Sequence, residues 1–242
     1  MMQHAFNVQG SAALGVLAFL GTAAVLAACA VSWVVLRATR RRPAARRVAR
    51  SAGIVVAGYA AALALFSLTS RSVDLPVGDE KYFCGIDCHL AYSVAGAETL
   101  PPTGPASSEA ARSDGTVRVV VRVRVRFDPS TISAHRGDSL LTPNPRHVAL
   151  LGSDGREYPP SEAGLRDLTI APGPQPSLDR QLRPGESYVA PIVFDLPPGV
   201  SGGRVLVTEG DPVTRVLIGH ENSPWHGKAG FLLPAATLGA RR

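Results

Sequence analysis

The first seventy residues contain two long apolar runs on either side of a short arginine-rich segment. The runs cover residues 10–36 and 51–70, and neither contains a charged side chain. A helix needs about 20 apolar residues to cross a bilayer, so both runs predict transmembrane helices. Their many alanines and glycines suit close packing between helices. The pattern predicts a two-pass α-helical hairpin that anchors residues 1–70 in a membrane.

The pattern changes to strict alternation in "TVRVVVRVRVRF", residues 116–127. Period-two alternation of β-branched residues is typical of a half-buried strand. The apolar face consists of Val117, Val119, Val121, Val123, Val125 and Phe127. The other face consists of Arg118, Val120, Arg122, Arg124 and Arg126. Two interpretations of the arginines stay open: a solvated face that discourages edge pairing, or a docking surface for an acidic partner or lipid headgroups.

Short apolar runs then alternate with turn segments rich in Gly, Pro and Asp. The runs cover residues 147–151, 187–196, 203–209 and 214–220. Strands with turns every 8–12 residues and no helical periodicity predict an antiparallel sandwich or barrel. We therefore predict an all-β, immunoglobulin-like sandwich over residues 116–242. Before it, residues 71–97 form a juxtamembrane segment, and residues 98–115, rich in Pro, Ser, Ala and Gly, form a linker.

A resemblance supports the predicted fold. "LLGSDGREYPPS" (150–161) and "LRPGESYVAPIVFDLPPGV" (182–200) resemble a family of extracellular bacterial domains of unknown function with a telokin-like, immunoglobulin-like sandwich. The similarity covers roughly residues 116–210 and consists of strand and turn signals. It implies display or interaction outside the membrane and names no chemistry.

The distribution of charge predicts the orientation in the membrane. Seven arginines lie in the segment 37–50, and every acidic residue lies after residue 70. Short cytoplasmic loops are enriched in Lys and Arg, so this loop is predicted to be cytoplasmic. The N-terminus and the C-terminal domain are then periplasmic, in a bacterial inner membrane. The net charge of +6 comes from this one loop, which argues against nucleic acid as a partner.

The segment "KYFCGIDCHLAY", residues 81–92, contains the strongest candidate chemistry. Cys84, Cys88 and His89 have the spacing C-x-x-x-C-H, one residue longer than the haem c attachment motif. Three interpretations stay open. The cysteines could form a disulfide, since disulfides persist outside the cytoplasm. They could instead attach haem c with His89 as axial ligand, or bind a metal with a fourth ligand from Asp87, His220, Glu221 or His226.

The C-terminal segment "IGHENSPWHGKAGFLL" predicts a surface loop around residues 220–227. Its His220, Trp225 and His226 are candidates for contact with a partner, because exposed Trp and His residues are typical of interface hot spots. The chain contains no G-x-S-x-G, P-loop or H-E-x-x-H motif, so we expect no enzyme activity.

These observations favour a membrane-anchored interaction or scaffold module without a cofactor. We expect it to be an accessory subunit of a respiratory, photosynthetic or transport complex, with the membrane and other membrane-protein subunits as partners. Two alternatives remain: an electron-transfer or metal-handling protein that uses Cys84, Cys88 and His89 for haem c or a metal, and a periplasmic sensor or ligand-binding module.

Overall fold

The structure is a computed structural model that describes residues 5–7, 12–83, 89–100, 116–131, 137–168, 175–200 and 203–233. Two compact units divide the chain. One contains the helical hairpin and the segment 212–228, and the other contains the strands. The helices are α1 (Ala12–Ala38), α2 (Arg42–Thr69) and the short α3 (Glu162–Arg166). The strands are β1 (Ala5–Asn7), β2 (Val73–Leu75), β3 (Glu80–Tyr82), β4 (Leu90–Leu100), β5 (Val117–Phe127), β6 (Arg146–Gly152), β7 (Glu157–Tyr158), β8 (Ser187–Leu196), β9 (Gly203–Glu209) and β10 (Ala229–Leu233).

The hairpin confirms the two predicted apolar helices. Both are long and apolar enough to cross a membrane. A proline lies in the first turn of α2. Backbone N–H groups in that turn have no acceptor within the helix, so the N–H that proline lacks costs no hydrogen bond. Six of the less exposed residues of α2 recur at alternating intervals of three and four, which places them on one face toward α1. They are Ala45, Val48, Ala52, Val55, Tyr59 and Ala62.

The strands form two five-stranded sheets. The first sheet has the order β1-β3-β4-β5-β8, and the second has the order β2-β10-β9-β6-β7. Strand β5 lies next to the edge strand β8 and pairs antiparallel with β4 and β8 along nearly its whole length. The predicted strand at residues 116–127 is therefore correct, but it is flanked on both sides.

One apolar core joins the two sheets. The first sheet contributes Val94, Val121 and Phe194, and the second contributes Leu150 and Phe231, all of them buried. The valines of β5 at odd positions point into this core, as the alternation predicted. Burial of these side chains, at about 1.5–3 kcal/mol each, is the main force that holds the sheets together.

The sequence predicted that the β domain begins after a linker at residues 98–115, but in the structure its strands begin earlier. Strands β2, β3 and β4 come from the segment that the sequence assigned to a juxtamembrane region and the start of a linker. Strand β4 has a weak local signal, because "LAYSVAGAETL" contains three alanines and a glycine, which strands disfavour. Its pairing with β5 stabilises the strand in spite of that composition. Residues 101–115 lie outside the described residues.

The chain leaves the two-sheet unit twice. Strand β1 precedes the hairpin and belongs to the first sheet, where it pairs parallel with β3, whereas β2, the strand that directly follows the hairpin, belongs to the second sheet. The segment 212–228 is likewise inserted between β9 and β10 and belongs to the unit of the helices. Residues far apart in sequence therefore build each unit.

Candidate functional site

The cysteine motif lies only partly within the structure. Cys84 and Cys88 fall outside the described residues, so their disulfide, haem or metal state stays a prediction. His89 is buried, and its ring stacks on Phe127 with centroids 5.6 Å apart. Its carbonyl oxygen accepts a hydrogen bond from the Asp128 N–H at 2.8 Å. Within the described ranges, no three His, Cys, Asp or Glu side chains are grouped to hold a metal ion.

Arg118 is the most buried of the four arginines on β5. Its Nε and Nη2 donate to the two carboxylate oxygens of Asp195 on β8 at 2.7 and 3.3 Å, and its Nη1 donates to Asp167 at 3.0 Å. The hydroxyl of Ser161, which also caps α3, donates to Asp195 at 2.5 Å. The Asp195 carboxylate raises the pKa of Arg118. This side chain stabilises the fold and is not a free docking charge.

Arg126 lies at the centre of a second polar network. It donates to both carboxylate oxygens of Glu80 at 2.7 Å, to the Tyr82 hydroxyl at 2.8 Å and to Asp128 at 3.2 Å. Hydrogen bonding from Arg126 lowers the pKa of Glu80 in spite of burial. Burial alone would raise the pKa of Asp128, but hydrogen bonds from Ser130 and Tyr82 hold it well below its usual value.

The remaining two arginines of β5 are more accessible. Arg122 forms a half-exposed ion pair with Glu98 at 2.6 Å, an arrangement worth about 0–1 kcal/mol. Arg124 is exposed. The charges of the predicted arginine face are therefore largely neutralised by acidic neighbours, and Arg124 is the residue of the four that presents its charge most openly. Docking of a partner on this face stays a prediction.

The C-terminal loop lies against the helical hairpin within the same unit. The Tyr59 hydroxyl donates to the Val216 carbonyl at 2.6 Å, and the Gly227 N–H donates to Ser70 Oγ at 2.7 Å. Of the predicted contact residues, His220 is buried and His226 is partly buried. Trp225 is 74% exposed and has a φ of 63°, which is unusual for a bulky side chain.

A cluster of buried polar side chains in the two-sheet unit was not predicted. Arg146 begins β6, and only 4% of its side chain is exposed. Its guanidinium lies 4.3 Å from the ring centre of Phe83 and 5.2 Å from that of Tyr92. The carboxylate of Glu209 lies 3.9 Å from Nη1, beyond hydrogen-bond distance. Among the described residues, the Nε and Nη1 of Arg146 have no hydrogen-bond partner.

Two buried tyrosine hydroxyls lie in the same region. Tyr92 and Tyr188 align across the first sheet through Val125, with the Tyr92 hydroxyl near the Arg146 guanidinium and the Tyr188 hydroxyl near the Arg180 backbone, but neither contact has the geometry of a well-formed hydrogen bond. Burial raises the pKa of both, and the Arg146 guanidinium opposes that rise at Tyr92. A buried polar group without a partner costs about 1–3 kcal/mol, so several such groups together need an explanation.

A cavity of about 430 Å³ lies beside this cluster. It is bounded by the start of β6, the helix α3, the segment 175–179 and strand β8. The lining is mainly apolar, with Val148, Leu178 and Ile192 among its residues, and Arg146 also lines it. Ligand sites are typically concave and apolar with a few polar groups, and this volume falls within their usual range.

Lys81 is a further buried cation that the sequence did not reveal. It lies on β3, is fully buried, and donates from Nζ to the carbonyls of Val207 at 2.6 Å and Ala229 at 3.0 Å. Those carbonyls belong to β9 and β10, so Lys81 connects the two sheets. For both Lys81 and Arg146 the local sequence resembles that of an ordinary exposed strand residue, and only the tertiary structure shows the burial.

Comparison with known proteins adds two distant structural likenesses. No protein-family model and no curated protein matches the chain. The crystal structure of MPT63, a secreted protein from Mycobacterium tuberculosis, is similar at 16% identity and a TM-score of 0.37, covering 59% of this chain and 93% of that one. A conserved hypothetical protein from Bacillus anthracis is similar at 15% identity and a TM-score of 0.37, covering 55% of this chain and 88% of that one.

Proposed function

We propose that this protein is a membrane-anchored scaffold module, an accessory subunit of a larger membrane complex. The observation that carries the proposal is a stripe of small residues on α2, defined by Gly53, Ala57 and Ala61. All three are exposed, and they recur every four residues on a face different from the one toward α1. A Cβ added at Gly53 would meet nothing within 4 Å.

A helix that faces lipid alone has no need of small side chains. Small residues at a spacing of four let two helix backbones approach closely, which is how transmembrane helices associate. The contacts of α1 and α2 with each other use the opposite side of α2, so the stripe is not explained by the hairpin itself. It therefore supports a helix of another subunit as the partner.

The loop 212–228 adds a second exposed surface to the hairpin, on the side of α2 away from the stripe. Tyr59 lies ten residues before the end of α2, which corresponds to about 15 Å along the helix axis. Its hydrogen bond to Val216 therefore holds the loop alongside the helices, below their end. Val213, Val216 and Trp225 are exposed there. Gly227 bonds Ser70, the residue that follows α2, so Trp225, two residues before Gly227, lies near the end of the helix, and Trp is enriched at membrane interfaces.

The same proposal includes the orientation in the membrane and the class of the β-sandwich. The arginine loop 37–50 supports a cytoplasmic hairpin turn in a bacterial inner membrane, with the N-terminus and the two-sheet unit in the periplasm. The two sheets around one core are compatible with an immunoglobulin-like, telokin-like sandwich. The alternatives that use Cys84, Cys88 and His89 for haem c or a metal stay open, because the two cysteines lie outside the described residues.

The experiment compares complexes extracted in mild detergent from cells that express the full chain. We expect the protein to migrate on native gels well above its own 25.3 kDa. Ala57→Leu should reduce that complex, because the added side chain separates the helix backbones. Val56→Phe is the matched control, since Val56 is exposed about a quarter turn away. Migration as a monomer, or equal behaviour of the two variants, would refute the scaffold role.

A further inference from the structure

The buried cluster around Arg146 and the adjacent cavity together point to a ligand. We propose that the cavity binds a single-chain amphiphile whose carboxylate headgroup pairs with Arg146 and whose apolar tail fills the cavity. The proposal goes beyond the scaffold role and does not depend on any partner in the membrane.

The carboxylate headgroup of the proposed ligand is inferred from the N–H groups of Arg146. Nε and Nη1 of Arg146 make no well-formed hydrogen bond within the described part of the chain, and Arg146 is among the residues that line the cavity. A guanidinium presents its N–H groups in a planar fork that matches a carboxylate. A bound carboxylate would give the Arg146 guanidinium the hydrogen bonds that the described residues do not supply.

The charge of the site favours a monoanion. Glu209 lies 3.9 Å from Arg146 and already compensates part of its positive charge. A phosphate dianion would meet that carboxylate at close range, where repulsion is strong because the site is poorly solvated. The acidic residues Glu162 and Asp179 also line the cavity but are exposed, so water and salt screen them.

The apolar tail of the proposed ligand is inferred from the residues that line the cavity and from the volume of the cavity. Val148, Leu165, Leu178, Ala190 and Ile192 supply apolar surface. At about 30 Å³ for each non-hydrogen atom, 430 Å³ accommodates roughly a dozen such atoms. Decanoate and dodecanoate are of this size. A short carboxylate such as acetate would leave most of the apolar surface uncovered.

The test uses the full chain in nanodiscs of zwitterionic lipid. A dodecanoate analogue with a photoreactive tail is crosslinked to the protein, and the labelled peptides are mapped by mass spectrometry. We expect labels within residues 145–148, 161–165, 175–179 or 190–193. Unlabelled dodecanoate should compete at least about tenfold better than dodecanol, because only the acid forms charge-assisted hydrogen bonds with Arg146.

Two variants separate the headgroup from the tail. Arg146→Gln should weaken competition by dodecanoate about tenfold or more and leave dodecanol unchanged, whereas Arg124→Gln, which removes an exposed charge, should change neither. Ala190→Leu should reduce labelling with Arg146 intact, because it fills part of the cavity. Labels confined to the hairpin, or equal competition by acid and alcohol, would overturn the proposal. If Arg146→Gln does not fold, Ala190→Leu and the comparison of acid with alcohol on the unaltered chain decide the matter.

Discussion

Replacing Arg126 with leucine should destabilise the two-sheet unit far more than the same change at Arg124. The Glu80 side chain is 7% exposed and would lose both hydrogen bonds from the guanidinium, leaving only the Tyr82 hydroxyl, whose single proton Glu80 shares with Asp128. Removing one partner of a fully buried ion pair costs about 3–5 kcal/mol. The Arg126 side chain is 30% exposed, so solvent reduces this cost, and we expect about 2–4 kcal/mol.

Arg124 provides the matched control, because it lies two residues away on the same face of β5. Its side chain is exposed, so Arg124→Leu should change the free energy of unfolding by less than about 0.5 kcal/mol. The assay is thermal unfolding of the full chain in nanodiscs, followed by the β-sheet circular dichroism signal. A unit of this size loses about 2–4 °C in Tm per kcal/mol. Equal shifts for the two variants would refute the role assigned to Arg126.

The pH dependence gives a second readout of the same interaction. The pKa of Glu80 is lowered in the folded protein, so its contribution is present above its unfolded pKa and is lost as pH falls through the folded value. In Arg126→Leu, burial should instead raise the pKa of Glu80, and protonation then relieves the unpaired charge. The difference in Tm between the two proteins should therefore be largest at neutral pH and shrink as the pH falls toward 4. A difference that grows in acid would contradict this account.

Three further outcomes are expected. A fragment of residues 114–242 should fail to fold, because it lacks β4, which supplies Tyr92 and Val94 to the core. A fragment of residues 71–242 should be soluble and β-rich. Cooperative unfolding of the shorter fragment would contradict the sheet order. Tyr59→Phe should make the loop 212–228 more sensitive to limited proteolysis, since it removes the hydrogen bond to Val216, while Tyr158→Phe, a change in the other unit, should not. Intact-mass analysis should show Cys84 and Cys88 lighter by two hydrogens than after reduction; a mass gain corresponding to haem would favour the redox alternative instead.

The elements that the sequence predicted best were those with a strong local period. The two helices follow from uninterrupted apolar runs, and β5 follows from strict alternation. Strand β4 was missed because its stability comes from pairing with β5 and not from its own composition. The sequence assigned β4 to the juxtamembrane segment and the start of the linker, which moved the predicted domain boundary by more than forty residues, to 116 instead of the start of β2 at Val73.

The candidate site was harder to predict for a different reason. Arg146 and Lys81 each occur in a segment where a charged residue would ordinarily face solvent, and burial depends on how the two sheets close over them. Tyr92 and Tyr188 lie almost a hundred residues apart and align only because β4 and β8 flank the same strand. Such a cluster exists only in the folded chain, so no local motif marks it.

The position of β5 between two other strands also determines the structural role of its arginines. Charges that discourage edge pairing are useful on an edge strand, and β5 pairs on both sides. Arg118 bonds Asp195 directly across on β8, Arg122 bonds Glu98 on β4, and Arg126 bonds Glu80 on β3. One strand thus connects three others through its outer face while its valines fill the core. A partner that docks on this face would meet mostly paired charges, with Arg124 as the accessible exception. Reversing Arg124 to Glu should therefore affect docking with little effect on stability. Reversing Arg118 or Arg126 to Glu should instead unfold the two-sheet unit.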